Sequence, residues 1–569
     1  MRITLAVLLL TFAAAAPAPA AVVVNEIMYH PPDDRDDLQF VELHNTGDAP
    51  VDLAGWRLKG ARYQFPAGSS IAANGYLVVC KDAKAFKPHY GFDAIGEFEG
   101  TLGHSAGAVE LIDAAGKTVD VVKYRTRAPW PVAADGSGSS LERICPTAPA
   151  SVENWAPSPL PEGTPRAAGT PGKKNSVYVS RLPPVVSNVT FAPSHAAPDE
   201  EIKVEAAVRS GEELSAVELR YRVAGPGTES AETTVGMTKG SAGKYAATIP
   251  GQKAGRIIRF RVRAADAKGT ERFFPSPNEL RPALSVYVHD QFPTAKVPLG
   301  FLIDVGTAEF RAAQRGGGFR FGGGQIMPNP PARGRSAFVY VDPKSGKPDL
   351  SDFISAPLRT SGWKVRFHKD HPLGDMTTIN LIYEPIDRMV LAEPLSYEVY
   401  RKAGNVAPRT DFVRTWIDGR PIGFQLLIEQ PNKAFLRHAG LKADGNMYKA
   451  NWMGRSVVER HEKKTNTNTG HDDVVQVIDR LNKSRGDEQW AVIKKEFDVE
   501  QMINFYAVHV LVSDWDGFFN NYFVYHDVGG TGKWTMYAWD QDKTWGLHDG
   551  VGGYDVFTDM PLRFGMAGD

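Results

Sequence analysis

From residue 22 to about 289 the chain consists of short runs that alternate apolar and polar residues, and this period of two limits the fold more than any other feature. Runs such as "FVELHNT", "YLVVCKD", "EIKVEAAVRS", "AVELRYRVAG" and "RIIRFRVRAADAKG" place their apolar side chains on one face of an extended strand. Turn clusters such as "NTGD", "AANG" and "DAAG" separate them, which is the pattern of antiparallel β-sandwiches. The stretch "APSPLPEGTPRAAGTPGKKNS" (156–176) can hold neither a helix nor a central strand and reads as a boundary or an irregular edge. A small antiparallel sandwich or barrel is therefore expected at 21–179, and a second β-sandwich, of immunoglobulin or fibronectin-III type, at 182–289.

The ends and the charge balance narrow the function classes. Residues 1–20, "MRITLAVLLLTFAAAAPAPA", carry Arg2, an apolar run and the small triplet Ala18, Pro19, Ala20. They read as a cleaved secretory signal, too short for a spanning helix. A secreted, periplasmic or cell-surface protein without a transmembrane segment is expected. Lys+Arg 65 against Asp+Glu 66 gives a net charge of −1, with no electrostatic footprint for nucleic acid. Cys80 and Cys145 are the only cysteines, so no Cys-based zinc site is available. Whether these two pair or stay as isolated thiols depends on their separation in space.

Beyond about 295 strands and helices mix. The stretch "RGGGFRFGGGQIMPNPPARGR" (315–335) fits no phosphate-loop register and reads as a flexible loop. "WKVRF" (363–367) reads as a strand and "LSYEVYRKAG" (395–404) as a helix stopped by Gly404. "FVRTWIDGRPIGFQLLIEQ" (412–430) reads as a hairpin turning at Asp418 and Gly419. "HDDVVQVIDRLNKS" (471–484) puts Val474, Val475, Ile478 and Leu481 on one helical face, and Asp498 with Gln501 starts a further helix over 499–512. That helix leads into "DWDGFFNNYFVYHD" (514–527), followed by "WTMYAWDQDKTWG" (534–546). Asp516 and Asn521 lie five apart before a hairpin whose second strand ends at Asp540. Three oxygen-bearing side chains are thereby expected to converge, a donor set suited to Mg²⁺ and phosphate. Protein kinases use the same order, a catalytic Asp, an Asn five residues on, and a metal-binding Asp after two short strands.

Two resemblances extend this reading. Asn25, Glu26, Phe40, Glu42, Asn45, Gly55, Trp56, Tyr76, Trp130 and Glu142, in their order, resemble a lamin-tail domain, which implies an immunoglobulin-like β-sandwich at 21–179 that serves as an accessory or surface-association module. The pieces "GWKVRF", 405–436, "GNMYKA", "DWDGFFNNYFVYHD" and "WTMYAWDQDKTWG" resemble the CotH family, atypical kinase-like proteins named after spore-coat protein H, over about 200 residues. This resemblance implies an α+β atypical protein-kinase-like domain at 295–569 that phosphorylates Ser or Thr of secreted or surface proteins with ATP and Mg²⁺, or Mn²⁺. It casts Asp516 as the catalytic residue and Asn521, Asp540 and Asp542 as metal-holding groups. Lys364 becomes the phosphate-binding lysine, Glu393 or Glu398 its helix partner, and Glu429 a residue where the lobes join and the base is read. The chain stops soon after this motif, where a kinase-like C-lobe continues, so a truncated lobe is expected.

Each of these residues also has a plainer use. Asp516 and Asp540 suit turns that satisfy backbone donors, Lys364 suits a strand edge, and Glu393 suits a first helical turn. "GHSAG" (103–107) has the spacing of a nucleophile elbow but precedes a strand-like run rather than a helix. The acidic run "DDRDD" (33–37) lacks a second set of Ca²⁺ ligands and reads as a solvated loop. The competing function is a non-catalytic surface adhesion or structural protein, attached to a surface or polymer through its sandwiches, whose kinase-like domain binds without turnover.

Overall fold

The computed structural model describes residues 22–163, 165–290, 292–293, 295–304, 333–359, 362–383, 390–451, 454–514, 517 and 520–546. The signal-like segment, most of the 315–335 stretch and Asp516 lie outside the described residues.

The N-terminal alternation folds into two facing sheets. One has six strands in the order Trp155–Pro157, Leu141–Arg143, Val22–Met28, Phe40–Asn45, Tyr76–Cys80 and Gly96–Glu97. The other has four, Thr118–Arg125, Ala106–Ile112, Arg57–Lys59 and Tyr63–Gln64. Val24, Val41, Leu43, Leu58, Val109, Leu111 and Val122 meet between them, none measurably exposed. Ser105 runs straight into the strand Ala106–Ile112, so no helix start presents it as a nucleophile. Cys80 and Cys145 are both buried free thiols, and burial pushes the Cys80 thiol up to about 11.

The second stretch of alternation also gives two sheets. Val185–Ala192, Ile202–Arg209, Lys244–Ile249 and Thr238–Lys239 form one, and the long pair Leu214–Gly225 and Arg256–Asp266 centres the other. This unit packs against the part that follows it. Ala224, Ile257 and Tyr287 share an apolar cluster with Leu299, Ile303 and Val339. Buried Arg259 grips Asp352 through Nε to Oδ2 at 2.9 Å and Nη2 to Oδ1 at 2.6 Å. A guanidinium fork on a carboxylate fixes orientation as well as distance.

The C-terminal part begins with an eight-stranded sheet, in the order Pro348–Ile354, Ser336–Val341, Leu299–Ile303, Thr410–Ile417, Arg420–Glu429, Thr378–Ile382, Gly362–Arg366 and Leu358–Arg359. Asp418 and Gly419, at φ 52° and 78°, make the predicted reversal in its central hairpin. Helix Ala392–Lys402 starts three residues earlier than the sequence suggests and ends before Gly404, whose φ of 85° suits glycine. Helix Asp472–Lys483 buries Val474 and Val477, whereas Val475 is exposed, so its apolar face is rotated from the predicted one. Asp498 caps helix Val499–Leu511 by accepting from the Gln501 N–H at 3.1 Å. A four-stranded sheet, His461–Lys463, Asn446–Ala450, Tyr522–His526 and Trp534–Ala538, completes this part. Tyr397, Tyr400, Leu426, Ile428, Phe505, Val508 and Ala538 form the core where the large sheet, the two long helices and this small sheet meet. No helix among the described residues is long and apolar enough to cross a membrane.

Candidate functional site

The hairpin Tyr522–His526 and Trp534–Ala538 pairs Tyr522 with Ala538, so the residues just outside it become neighbours. The Trp539 N–H donates to the Asn521 carbonyl at 3.1 Å, which sets Asn521 beside the Trp539–Asp540 peptide. Both Asn521 and Asp540 are left-handed, at φ 57° and 59°, a region where Asn and Asp are several-fold enriched. The reversal at Asp540 leads into the short turn Gln541–Lys543.

Helix Ala392–Lys402 is stitched onto this turn by its first two turns. Glu393 Oε1 accepts from the Gln541 N–H at 3.1 Å and from the Tyr397 hydroxyl at 3.2 Å. The Asp540 N–H donates to the Tyr397 oxygen at 3.0 Å. Farther along, Ser396 meets Thr544 at 2.9 Å and accepts from the Trp545 indole at 3.0 Å. The turn is therefore held by the helix, and Glu393 is the buried post that receives it.

The electrostatics follow from this placement. Burial pushes the Glu393 carboxyl well up, and the carboxylates of Asp540 and Asp542 push it in the same direction. Asp540 is half-buried, and its carboxylate accepts no hydrogen bond among the described residues. Beneath the turn, fully buried Gln541 donates from Nε2 to Asp514 Oδ2 at 2.6 Å. That oxygen lies 3.5 Å from His509 Nδ1, which the Tyr400 hydroxyl meets at 2.9 Å. Burial holds the His509 imidazole down at about 3, so it is neutral.

The other proposed site residues occupy separate places. Lys364 sits in the strand Gly362–Arg366 opposite Asn380. Glu398 is on the outer face of the helix with Arg401 and Lys402. Glu429 ends the strand Arg420–Glu429, 1% exposed, with both oxygens gripped by Arg409 at 2.9 Å. Its carboxylate is thus committed to holding Arg409. Tyr397, Gln541 and Asp514 were not singled out from sequence. Tyr397 lies four residues after Glu393, on the same helical face, and Asp514 opens the same acidic motif as Asp516.

Residues 355–563 match the family model described as CotH kinase protein, and residues 15–126 match that described as Lamin Tail Domain. Inner spore coat protein H of Bacillus subtilis (strain 168) is 26% identical over 203 residues, which cover 33% of this chain and 56% of that protein. The chain thus spans little more than half the length of this curated relative. Among solved structures, the sporulation control protein Spo0M of Bacillus subtilis aligns at 10% identity over 36% of this chain and 76% of that one, with a TM-score of 0.14. A cycloalternan-forming enzyme from Listeria monocytogenes aligns at 10% identity over 35% and 17%, also at 0.14. At such scores neither likeness bears on the fold.

Proposed function

We propose, on the premise that residues 355–563 carry a CotH kinase-type unit, that this chain is an exported atypical protein kinase. It transfers the γ-phosphate of ATP to a Ser or Thr hydroxyl of a secreted or surface protein, and the N-terminal sheets position it there. The observation that carries this reading is the Asp540 carboxylate, which has no donor among the described residues and lies against Glu393 and Asp542. A half-buried carboxylate without donors, flanked by two more, calls for a cation.

The donor set fits Mg²⁺, a hard ion that takes carboxylate, amide and phosphate oxygens. Asp540 and Asn521 would hold it, with Asp542 alongside. When bound it neutralises charge on the phosphates. The chain's own residues do the rest. Glu393 and Tyr397 fix the turn that aims Asp540, through the Gln541 and Asp540 N–H groups. Lys364 offers an ammonium to the phosphates. Glu429 fixes the end of the central hairpin through Arg409, near the position assigned to the base. Asp516 accepts the proton of the acceptor hydroxyl as its oxygen bonds to phosphorus and the bond from phosphorus to the β,γ-bridging oxygen breaks. A positioned base of this kind contributes roughly 10²–10⁴-fold.

The test is ³²P transfer from ATP to the protein itself or to a Ser-rich acceptor, with Mg²⁺ or Mn²⁺. Wild type is expected to label and Asp540→Ala to fall to background. Equal labelling refutes the enzyme reading. Nucleotide-dependent thermal stabilisation without any transfer supports the non-catalytic binder instead.

A further inference from the structure

The acidic run at 33–37 does not simply face solvent. It folds into two short turns, Pro32–Asp34 and Asp36–Leu38, that point carboxylates at two histidines far away in sequence or one turn back. His30, 6% exposed, has Nδ1 2.5 Å from Asp135 Oδ1 and Nε2 2.8 Å from Asp34 Oδ1. His104, from the loop before the strand Ala106–Ile112, lies flat on the His30 ring, with centroids 3.9 Å apart and planes 6° from parallel. Its Nε2 is 2.6 Å from Asp36 Oδ1.

We propose that His30, Asp34 and His104 form a binding site for a divalent transition metal of the zinc class. The inference is independent of the phosphotransfer reading. Each of the three brings one ligand atom within 4.8 Å of the other two. Two imidazoles and a carboxylate are a donor set that suits zinc and its neighbours and does not suit Mg²⁺ or Ca²⁺, which prefer oxygen throughout. Asp135 supplies the outer hydrogen bond that metal-ligating histidines commonly have, fixing the ring so that Nε2 faces Asp34.

One movement is required. Parallel stacked rings cannot both aim an in-plane lone pair at one ion, so His104 turns out of the stack and releases Asp36. Its side chain is 31% exposed and sits in a loop, so the turn gives up one ring contact and one hydrogen bond. The ligand atoms then close to the spacing set by bonds of about 2.0–2.2 Å. The surroundings accept the added charge, since Asp34, Asp36 and Asp135 gather there, with the Lys433 ammonium bonded to Asp34 and Lys369 near His30. Lys433 belongs to the C-terminal part and shares Asp34 with the site, so a bound ion lies where the N- and C-terminal parts touch.

The experiment uses the full chain without a polyhistidine tag, stripped with chelator and titrated with Zn²⁺ by calorimetry and with Co²⁺ by visible absorption. Wild type is expected to take one equivalent of Zn²⁺ in the presence of excess Mg²⁺, and to give the visible bands of a low-coordinate cobalt site. His104→Ala, whose side chain is partly exposed, is expected to keep the fold and lose the bands. Asp135→Asn is expected to weaken binding about 10–100-fold. Asp540→Ala is expected to bind as wild type, which separates this site from the C-terminal one. Absence of stoichiometric binding by the wild type, or binding by folded His104→Ala equal to wild type, overturns the proposal.

Discussion

Two carboxylate triads in this molecule look alike in composition and behave in opposite ways. In the N-terminal sheet, Glu26 is paired across strands with both Glu42 and Glu142, and all three side chains are fully buried. The returning segment at 170–177 answers them. Glu26 accepts from Ser140 at 2.5 Å, from the Thr170 N–H at 2.9 Å and from the Thr170 hydroxyl at 3.2 Å. Glu42 accepts from Asn25 at 2.7 Å and the Gly172 N–H at 2.5 Å, and Glu142 from Thr170, Ser176 and the Val177 N–H. Burial pushes Glu42 up to about 8 and Glu26 and Glu142 upward as well. In the C-terminal triad Glu393 is answered by the Gln541 N–H and the Tyr397 hydroxyl, whereas Asp540 accepts no hydrogen bond among the described residues. The first triad is a closed lock that straps a proline- and glycine-rich segment to a sheet. The second is open on one side, the arrangement expected where a ligand supplies the missing positive charge.

Mutation separates the two most sharply. Asp540→Ala is expected to remove phosphate transfer while leaving the melting temperature within a degree or two of wild type, read by parallel labelling and calorimetry. Glu26→Ala is expected to do the reverse. It strips the acceptor from the Ser140 hydroxyl and the Thr170 N–H, at about 1–3 kcal/mol for each buried group left unsatisfied, while the Thr170 hydroxyl keeps Glu142, and the folded fraction keeps its transfer rate. A Glu26→Ala protein that melts like wild type would break the contrast.

Proton linkage sharpens it further. Glu42 has a folded pKa of about 8, above its ordinary value of 4.5, so the folded state binds more protons between the two. The stability this contributes is complete below pH 4.5 and is lost as the pH rises through about 8. In the C-terminal part, burial holds His509 down at about 3 and His368 at about 4, below the ordinary 6.5. Their contribution is complete above pH 6.5 and is lost as the pH falls through about 4 to 3. Hydrogen exchange across the pH range is expected to show the sheet around residues 22–45 loosening toward alkaline pH and the helix Val499–Leu511 loosening toward acid. Parallel loosening of both would contradict the assignment.

Much of this was legible in the sequence, and the exceptions share a cause. The hairpin at Asp418 and Gly419, the cap at Asp498, the stop at Gly404 and the strand alternation are local signals, and the structure keeps them. The adjacency of Asn521 and the Asp540 turn was also legible, because a hairpin with a short turn brings its two ends together. The 156–176 stretch read only as a boundary or an irregular edge because two of its partners lie more than 100 residues away, with Thr170 on Glu26 and Gly172 on Glu42. The acidic run at 33–37 read as solvated for the same reason, since His104 and Asp135 reach it only through the fold. The grip of Arg409 on Glu429 was not legible either, because Arg409 lies twenty residues earlier, just before the neighbouring strand Thr410–Ile417.

The smallest expected effect refines the open triad. Glu393→Gln keeps an acceptor for the Gln541 N–H and removes a carboxyl that Asp540 and Asp542 repel when it ionises. It is expected to change stability by less than about 1 kcal/mol and to weaken metal-nucleotide binding a few-fold, read by thermal shift with and without ATP and Mg²⁺.

The most direct measurement of the central claim is Mn²⁺ binding followed by electron paramagnetic resonance in the presence of a non-hydrolysable ATP analogue, for wild type and Asp540→Ala. Wild type is expected to immobilise Mn²⁺ in a complex that needs both protein and nucleotide, and Asp540→Ala to leave the spectrum of the nucleotide complex alone. Identical spectra from the two proteins would show that the Asp540 carboxylate holds no cation.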